Sequence, residues 1–392
     1  MTQPYAGIRV IEVGGTVSAA AATKTFSDFG ADVIKIEPID GGTARRLPPF
    51  PNDIPHLDRG SFHLALDTGK RSIALDVTTA SGREIVARLA DDAALLIQQQ
   101  PPADADALLA RLSDRAPSTV TISPHGLDGP YRDRIENDMT TLAWTTRMQR
   151  HSNEGEEPLR YAPEAGTIQV GATAAAAGSA AIWRRSHEGE RFTIEIAGVE
   201  AMTGNVDSFF TIWSMTGADL PRPAGVSKAA YVAGNYPCKD GFVLFAAGND
   251  PFFSRLCDGI GHPELKTDPR FVDPEQKPLH WDDFMTYLQP WLDERTKLEV
   301  FTQLQDVGVM VAPILEVPDA LTDPQAVARG SFVEVDQPDV GAITLAGPPF
   351  RLGDAWQARP APRLGEHTSE LLGELGYSAD EQIALFRAGV TA

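Results

Sequence analysis

The fold is decided by Gly7-Ile-Arg-Val-Ile-Glu-Val13, Gly14-Gly15-Thr16, the stretch from Ala20 to Phe29, and Ala31-Asp-Val-Ile-Lys-Ile-Glu37. The first and last of these are β-branched runs of strand length. Between them an amphipathic stretch stops at Gly30, a residue suited to the C′ position of a helix. Strand, small-residue turn, helix, strand is a βαβ unit, and the pattern continues outward. Arg71-Ser-Ile-Ala-Leu-Asp-Val77, Ala93-Ala-Leu-Leu-Ile97 and Ser118-Thr-Val-Thr-Ile-Ser123 read as further strands. Helical stretches at Ser81–Leu89 and Ala103–Arg111 separate them. The alternation predicts an α/β fold with a mostly parallel sheet.

Beyond Asp138 the character turns helical as far as Met215, with Gly166–Arg185 crowded by alanine and glycine. Such short side chains allow very close helix packing. Pro221, Pro223 and Gly225 read as a linker, and residues 227–330 carry their own pattern, with a strand at Phe242-Val-Leu-Phe245. Strand-like Phe332-Val-Glu-Val335 and Ala342-Ile-Thr-Leu345 follow, then two short helices after Gly365. The expected division is a large domain over 1–220 and 331–392 and a small domain over 221–330.

The 392 residues are 42% apolar and 22% charged, as in an ordinary soluble protein, and the formal charge is −20. So acidic a chain repels phosphate backbones, which argues against nucleic acid as the main partner. It leaves room for an anionic small molecule, because a local basic pocket can sit in an acidic surface. Cys238 and Cys257 are too few for a disulfide framework and have no partners for nucleophilic duty, so a cytoplasmic location is expected. The first residues carry no signal-peptide pattern, and no apolar run reaches the roughly 18 residues of a membrane span. His125 and His280 have no metal-like spacing, so no metal is expected. Gly14-Gly15 lacks the further glycine of a dinucleotide fingerprint. Arg45-Arg46 and Lys70-Arg71 are cations near strand ends that could meet phosphate groups.

Gly30-Ala-Asp-Val-Ile-Lys-Ile-Glu37, with Gly41-Gly42 and Arg46, resembles the opening of the family III CoA-transferases. That family holds the formyl-CoA, carnitine and succinyl-CoA transferases and α-methylacyl-CoA racemase. Gly69-Lys70-Arg71-Ser72-Ile73-Ala74-Leu75-Asp76, Gly129-Pro130-Tyr131 and Tyr236-Pro-Cys-Lys-Asp-Gly-Phe242 resemble it in the same order. So do Asp268-Pro-Arg-Phe271, Gly308-Val-Met-Val-Ala-Pro313, Asp323-Pro-Gln325, Gly347-Pro-Pro-Phe350, Leu364-Gly-Glu-His-Thr368 and Leu375-Gly-Tyr377. The resemblance implies a large Rossmann-like domain, a smaller inserted α+β domain and an interlocked dimer. It implies coenzyme A or an acyl-CoA as substrate, with no tightly bound cofactor, and a small carboxylic acid as acceptor. CoA-binding positions carried over are Val17, Ser18, Arg46, Lys70, Arg71, Gln98 and Gln99.

The resemblance also marks departures. The family's transferases attack the acyl thioester with an aspartate four residues before a glycine, and here Thr167 stands four residues before Gly171. A carboxylate suits that step because it is already ionised and its acyl product stays reactive; a threonine hydroxyl has neither property. The racemases' His-Asp pair is Asn137-Asp138, and an amide cannot act as a general acid or base. Asp67 is expected beside the phosphates, where it would weaken anion binding. Glu164 is the nearest substitute carboxylate in sequence, with Glu136 and Asp138 as alternatives, although Asp138 is expected to cap the helix beginning there. Three readings stand. They are an active CoA-thioester enzyme, transferase or hydrolase-like, with a displaced carboxylate or a Thr167-bound water, a non-catalytic subunit whose related partner chain carries the aspartate, and an acyl-CoA-binding protein without catalysis. The dimer is accordingly with itself or with that related chain.

Overall fold

The computed structural model describes residues 3–204, 209–219, 232–352 and 356–392. The linker expected at Pro221, Pro223 and Gly225 lies outside them. Two compact units are formed, one by Met1–Gln149, Leu159–Asp219 and Ala328–Ala392, the other by Arg150–Pro158 and Leu220–Val327.

The first unit is built on six strands: β1 (Arg9–Val13), β2 (Asp32–Glu37), β3 (Arg71–Ala74), β4 (Leu95–Gln98), β5 (Ser118–Ser123) and β6 (Thr193–Ala197). Their order is β3-β2-β1-β4-β5-β6, with every pairing parallel. β1 is central, so Val10 lies opposite Val33 on one side and Leu95 on the other. Five strands follow the β-branched runs of the sequence. β6 does not, because it falls in a region expected to be helical.

Eight helices precede β6: α1 (Val17–Asp28), α2 (Thr43–Arg46), α3 (Ser61–Leu66), α4 (Ala80–Ala90), α5 (Pro102–Leu109), α6 (Asp138–Trp144), α7 (Arg147–Arg150) and α8 (Ala165–Glu188). α1 starts before the expected Ala20 because Thr16 caps it, its hydroxyl accepting from Ala19 N at 3.4 Å. One face of the sheet is covered by α1 and α8, through Ala19, Ala22, Phe26, Val170 and Ala174. The other is covered by α4 and the C-terminal segment, through Ile85, Leu89, Leu371 and Val390. Apolar burial on both faces is what a parallel sheet requires. The hairpin β10 (Phe332–Gln337) and β11 (Gly341–Ala346) also belongs to this unit.

The second unit has its own core, centred on Phe245, Phe253, Phe271, Phe284 and Leu288. Around it run the antiparallel strands β7 (Ala233–Cys238), β8 (Gly241–Ala246) and β9 (Val311–Pro313). Cys257 is wholly buried there, and burial pushes its thiol up to about 12. Such a thiol is a packing group, not a nucleophile.

Candidate active site

In open parallel sheets ligands sit outside the carboxyl ends of the strands, at the point where the strand order reverses. Here that point lies between β1 and β4. Glycine makes it possible: Gly14 has φ +116°, and a Cβ there would stand 2.1 Å from the Gln99 carbonyl oxygen. Gln99 then joins the two strand ends. Its Oε1 accepts from Thr16 Oγ1 at 2.5 Å and Ser18 Oγ at 2.9 Å.

A cavity of about 190 Å³ opens beside this junction. Val17 and Ser18 from the first turn of α1, Gln99 after β4, and Glu164 and Thr167 at the start of α8 all line it. Residues far apart in sequence are thus brought together. The cavity also gathers Glu136 and Asp138, which gives it three carboxylates among several hydroxyls, that of Thr167 included.

Asp138 is the organising group. Its Oδ1 accepts from Thr167 N at 3.0 Å and Thr167 Oγ1 at 3.1 Å, and its Oδ2 from Glu164 N at 3.2 Å. It therefore caps α8 from another helix, satisfying amides that no carbonyl of α8 can reach. The expectation that Asp138 caps its own helix is corrected: Asn137 does so, in a capping box with Thr140. That Asn-x-x-Thr spacing was readable in the sequence. Glu164 takes the left-handed conformation at φ 61°. Burial raises its carboxyl, Thr167's hydroxyl opposes this, and Asp138's charge adds to it, so the net shift is upward. Glu136 goes the other way. Burial raises it, but hydrogen bonds from Thr140, His125 and Trp144 hold it below the ordinary value.

The expected phosphate ligands Arg46, Lys70 and Arg71, and Gln98 with them, do not line this cavity. Lys70 is 3% exposed and gives its ammonium to Glu12 Oε2 at 2.9 Å, the Ala20 carbonyl at 2.9 Å and Asp67 Oδ1 at 2.8 Å. A lysine has three donors, so none remains for a ligand. Arg71 begins β3, which puts it at the opposite end of a parallel sheet from the cavity, bonded to Asp32, Glu370 and Glu374. Arg46 bonds the carbonyl and carboxylate of Asp40. Gln98 is buried in the sheet, donating to Thr121 Oγ1 and accepting from Gln100. Lys70 and Gln98 are thus engaged within the protein and Arg71 lies at the far end of the sheet, while Arg46 stays half exposed. Asp67 is corrected too. It is wholly buried against Lys35, Lys70 and His63 and lines no phosphate pocket.

Among the described residues no cluster of three or more His, Cys, Asp or Glu side chains is arranged to hold a metal, and no helix is long and apolar enough to cross a membrane. His125 and His280 serve as hydrogen-bonding groups, to Glu136 at 3.0 Å and Asp283 at 2.8 Å.

Comparison with known proteins places these features in context. The family described as CoA-transferase family III matches residues 5–368. A succinyl-CoA:(R)-benzylsuccinate CoA-transferase subunit from Thauera aromatica is 29% identical, over 99% of this chain and 98% of its own. A succinyl-CoA–D-citramalate CoA-transferase from Chloroflexus aurantiacus is 25% identical, over 98% and 97%. The crystal structure of a CAIB/BAIF family protein from Brucella suis superposes with a TM-score of 0.82 at 25% identity, covering 96% of this chain and 100% of that one.

Proposed function

The chain belongs to CoA-transferase family III, and from that premise we propose that it works on acyl-CoA thioesters, in the transfer of CoA to a small carboxylic acid. We propose further that it does so as one chain of an interlocked, cytoplasmic two-chain enzyme whose related partner carries the reactive aspartate. The observation that carries this reading is Thr167. It lines the cavity at the start of α8 and donates its hydroxyl to Asp138.

The family's chemistry needs a carboxylate oxygen to attack the thioester carbonyl. The C–S bond then breaks and CoA thiolate departs, leaving a mixed anhydride. The thiolate attacks its aspartyl carbonyl, which releases the first acid and leaves an aspartyl thioester. The second acid reverses the two steps to leave as its CoA thioester. Thr167 supplies no charge for the first step. The relative from Thauera aromatica is itself named as a subunit, which supports an assembly of unlike chains. In this reading the large CoA-binding domain comprises residues 1–220 and 331–392, with 221–330 as the small domain.

A second reading is favoured by one specific feature. Glu164 shares the cavity with Thr167 at the start of α8, which puts a carboxylate beside the threonine as a displaced nucleophile for a chain acting alone.

Turnover separates the two. The protein isolated from its native cells with its companion chain is expected to exchange CoA between succinyl-CoA and a dicarboxylic acid, while the single chain does not. Robust turnover by the single chain, lost in Glu164→Gln and kept in Thr167→Ala, would establish the second reading. No turnover in either preparation, across a panel of acyl-CoA donors, would remove the function.

A further inference from the structure

The base of the hairpin β10–β11 and the end of α1 line another cavity, of about 630 Å³, which the proposed function does not use. Its walls include Phe29, Arg329, Phe332, Phe350, Arg351 and Trp356, all within the first unit. It shares no residue with the cavity at Thr167. Phe29 closes α1 and lies three residues before β2, which runs parallel to β1 and toward the Thr167 cavity. The two cavities therefore sit at opposite ends of the sheet.

One wall is aromatic. Phe29 is 1% exposed and stacks on Phe350, with ring centroids 4.7 Å apart and planes 15° from parallel. The buried ring anchors Phe350, which itself stays 48% exposed. The Trp356 indole lies against Gly347, where an added Cβ would stand 3.5 Å from the ring. Pro348 and Pro349 join these residues, and their fixed φ angles stiffen the wall. The stretch Gly347-Pro-Pro-Phe350, left without a role by the site at Thr167, thus has one here.

The charge of the cavity is basic. Arg329 and Arg351 line it, and no Asp or Glu does so among the described residues. Neither arginine has a hydrogen-bond or ion-pair partner among those residues. In a chain of net charge −20 the contrast is plain. Arg45 is held by Glu37 and Asp58, Arg71 by Asp32, Glu370 and Glu374, and Arg363 by Asp339.

The two features suit one kind of ligand. A guanidinium presents a planar fork of donors that matches a carboxylate. Phenyl and indole faces take a flat aromatic body in stacked or edge-on contact. The volume of about 630 Å³ falls in the range of small-molecule pockets.

We propose that this cavity binds an aromatic carboxylate of one or two rings, its carboxylate against Arg329 and Arg351 and its rings against Phe350 and Trp356. An acid held there does not compete with a thioester in the cavity at Thr167. The proposal goes beyond the proposed function and does not depend on which chain carries the reactive aspartate.

The test is calorimetry with 2-naphthoate on the protein as isolated, companion chain included. A dissociation constant of about 1 mM or tighter is expected for a ligand of this size. 2-Naphthol keeps the rings and lacks the charge, and acetate keeps the charge and lacks the rings. Each should bind at least about tenfold more weakly. R329Q/R351Q should weaken 2-naphthoate at least about tenfold, and F350A about fivefold. All three side chains are exposed, and a melting curve establishes that the variants are folded. No binding of 2-naphthoate at about 10 mM would overturn the proposal, a companion chain filling the cavity included. Binding that R329Q/R351Q leaves unchanged would overturn it too, because the acid would then sit elsewhere. Equal affinity for 2-naphthol would do the same by removing the arginines' part. Turnover of acyl-CoA is a separate measurement, so failure here leaves the proposed function standing.

Discussion

Behind the first strands, Glu12, Glu37 and Asp67 are matched by Lys35, Lys70 and Arg45, all of them 3% exposed or less. Along the strand ends, Asp76, Asp104, Glu136, Asp138 and Glu164 line cavities whose walls hold no lysine, arginine or histidine among the described residues, and Asp40 is paired with the half-exposed Arg46. The inner set is closed on itself. Lys35 bridges Glu12 at 2.8 Å and Asp67 at 3.0 Å, and Asp67 also meets His63 at 2.8 Å. Arg45 can only donate, so His63 Nε2 accepts from it at 3.1 Å and Nδ1 carries the proton to Asp67. Interior charges must be paired because an unpaired one is far more costly there than at a water-facing wall. The chain therefore places its well-connected cations where burial demands them, and the strand-end cavities are left acidic.

Breaking the inner set should give the largest effect. Lys35→Met leaves Glu12 and Asp67 short of a partner, and removal of one member of such a buried cluster costs about 3–5 kcal/mol. Urea unfolding is the measurement, and a loss under about 1 kcal/mol would mean that water or rearrangement rescues the acids. The same cluster sets an acid limit. Burial raises the Glu12 and Asp67 carboxyls, but Lys35 and Lys70 overcome it and hold both below their ordinary values. Groups depressed in the fold lend stability above their unfolded pKa values, about 4.3 and 3.9, and lose it as pH falls toward the folded ones. Stability should accordingly fall below about pH 4.5, with the acid transition blunted in Lys35→Met.

At the strand ends the expected effects are smaller. Asp138→Ala strips the cap from α8 and should cost about 1–2 kcal/mol, the range for lost N-caps. Asp138→Asn, which keeps an acceptor, should recover part of it. Equal losses in the two variants would show that charge at the helix end, not hydrogen bonding, dominates. Least affected should be Arg46→Ala. Its side chain is half exposed and its pair with Asp40 lies at the surface, so less than about 0.5 kcal/mol is expected by thermal melting.

The sequence discloses these two regions unequally. β5 runs from Ser118 to Ser123, as its β-branched run indicates, and α8 occupies the Ala/Gly-rich stretch. Local periodicity carries such elements. β6 was legible in principle, since Thr193-Ile-Glu-Ile-Ala197 alternates polar and apolar residues, but its helical surroundings mask the period. The cavity residues Val17, Ser18, Gln99 and Thr167 are pointed to by family resemblance and Glu164 by its closeness in sequence to Thr167, and the fold brings them together. The cations are another matter. Lys70 meets Glu12 across 58 positions, and Arg71 meets Glu370 across 299. No local pattern shows that a lysine is already spoken for.

The close seam between α1 and α8 has a bearing on adaptation. A Cβ at Gly171 would stand 2.6 Å from the Ser18 carbonyl oxygen, and one at Gly178 would stand 2.7 Å from Leu95 Cδ2. Ser18 and Val170 are walls of the cavity, so the close packing of α1 on α8 is part of its shape. A new substrate cannot be accommodated by sliding these helices apart, nor can a lineage widen the gap through small steps at Gly171. Change in selectivity has to enter through the loops around Glu136 and Glu164, where a substitution alters one wall and leaves the other in register.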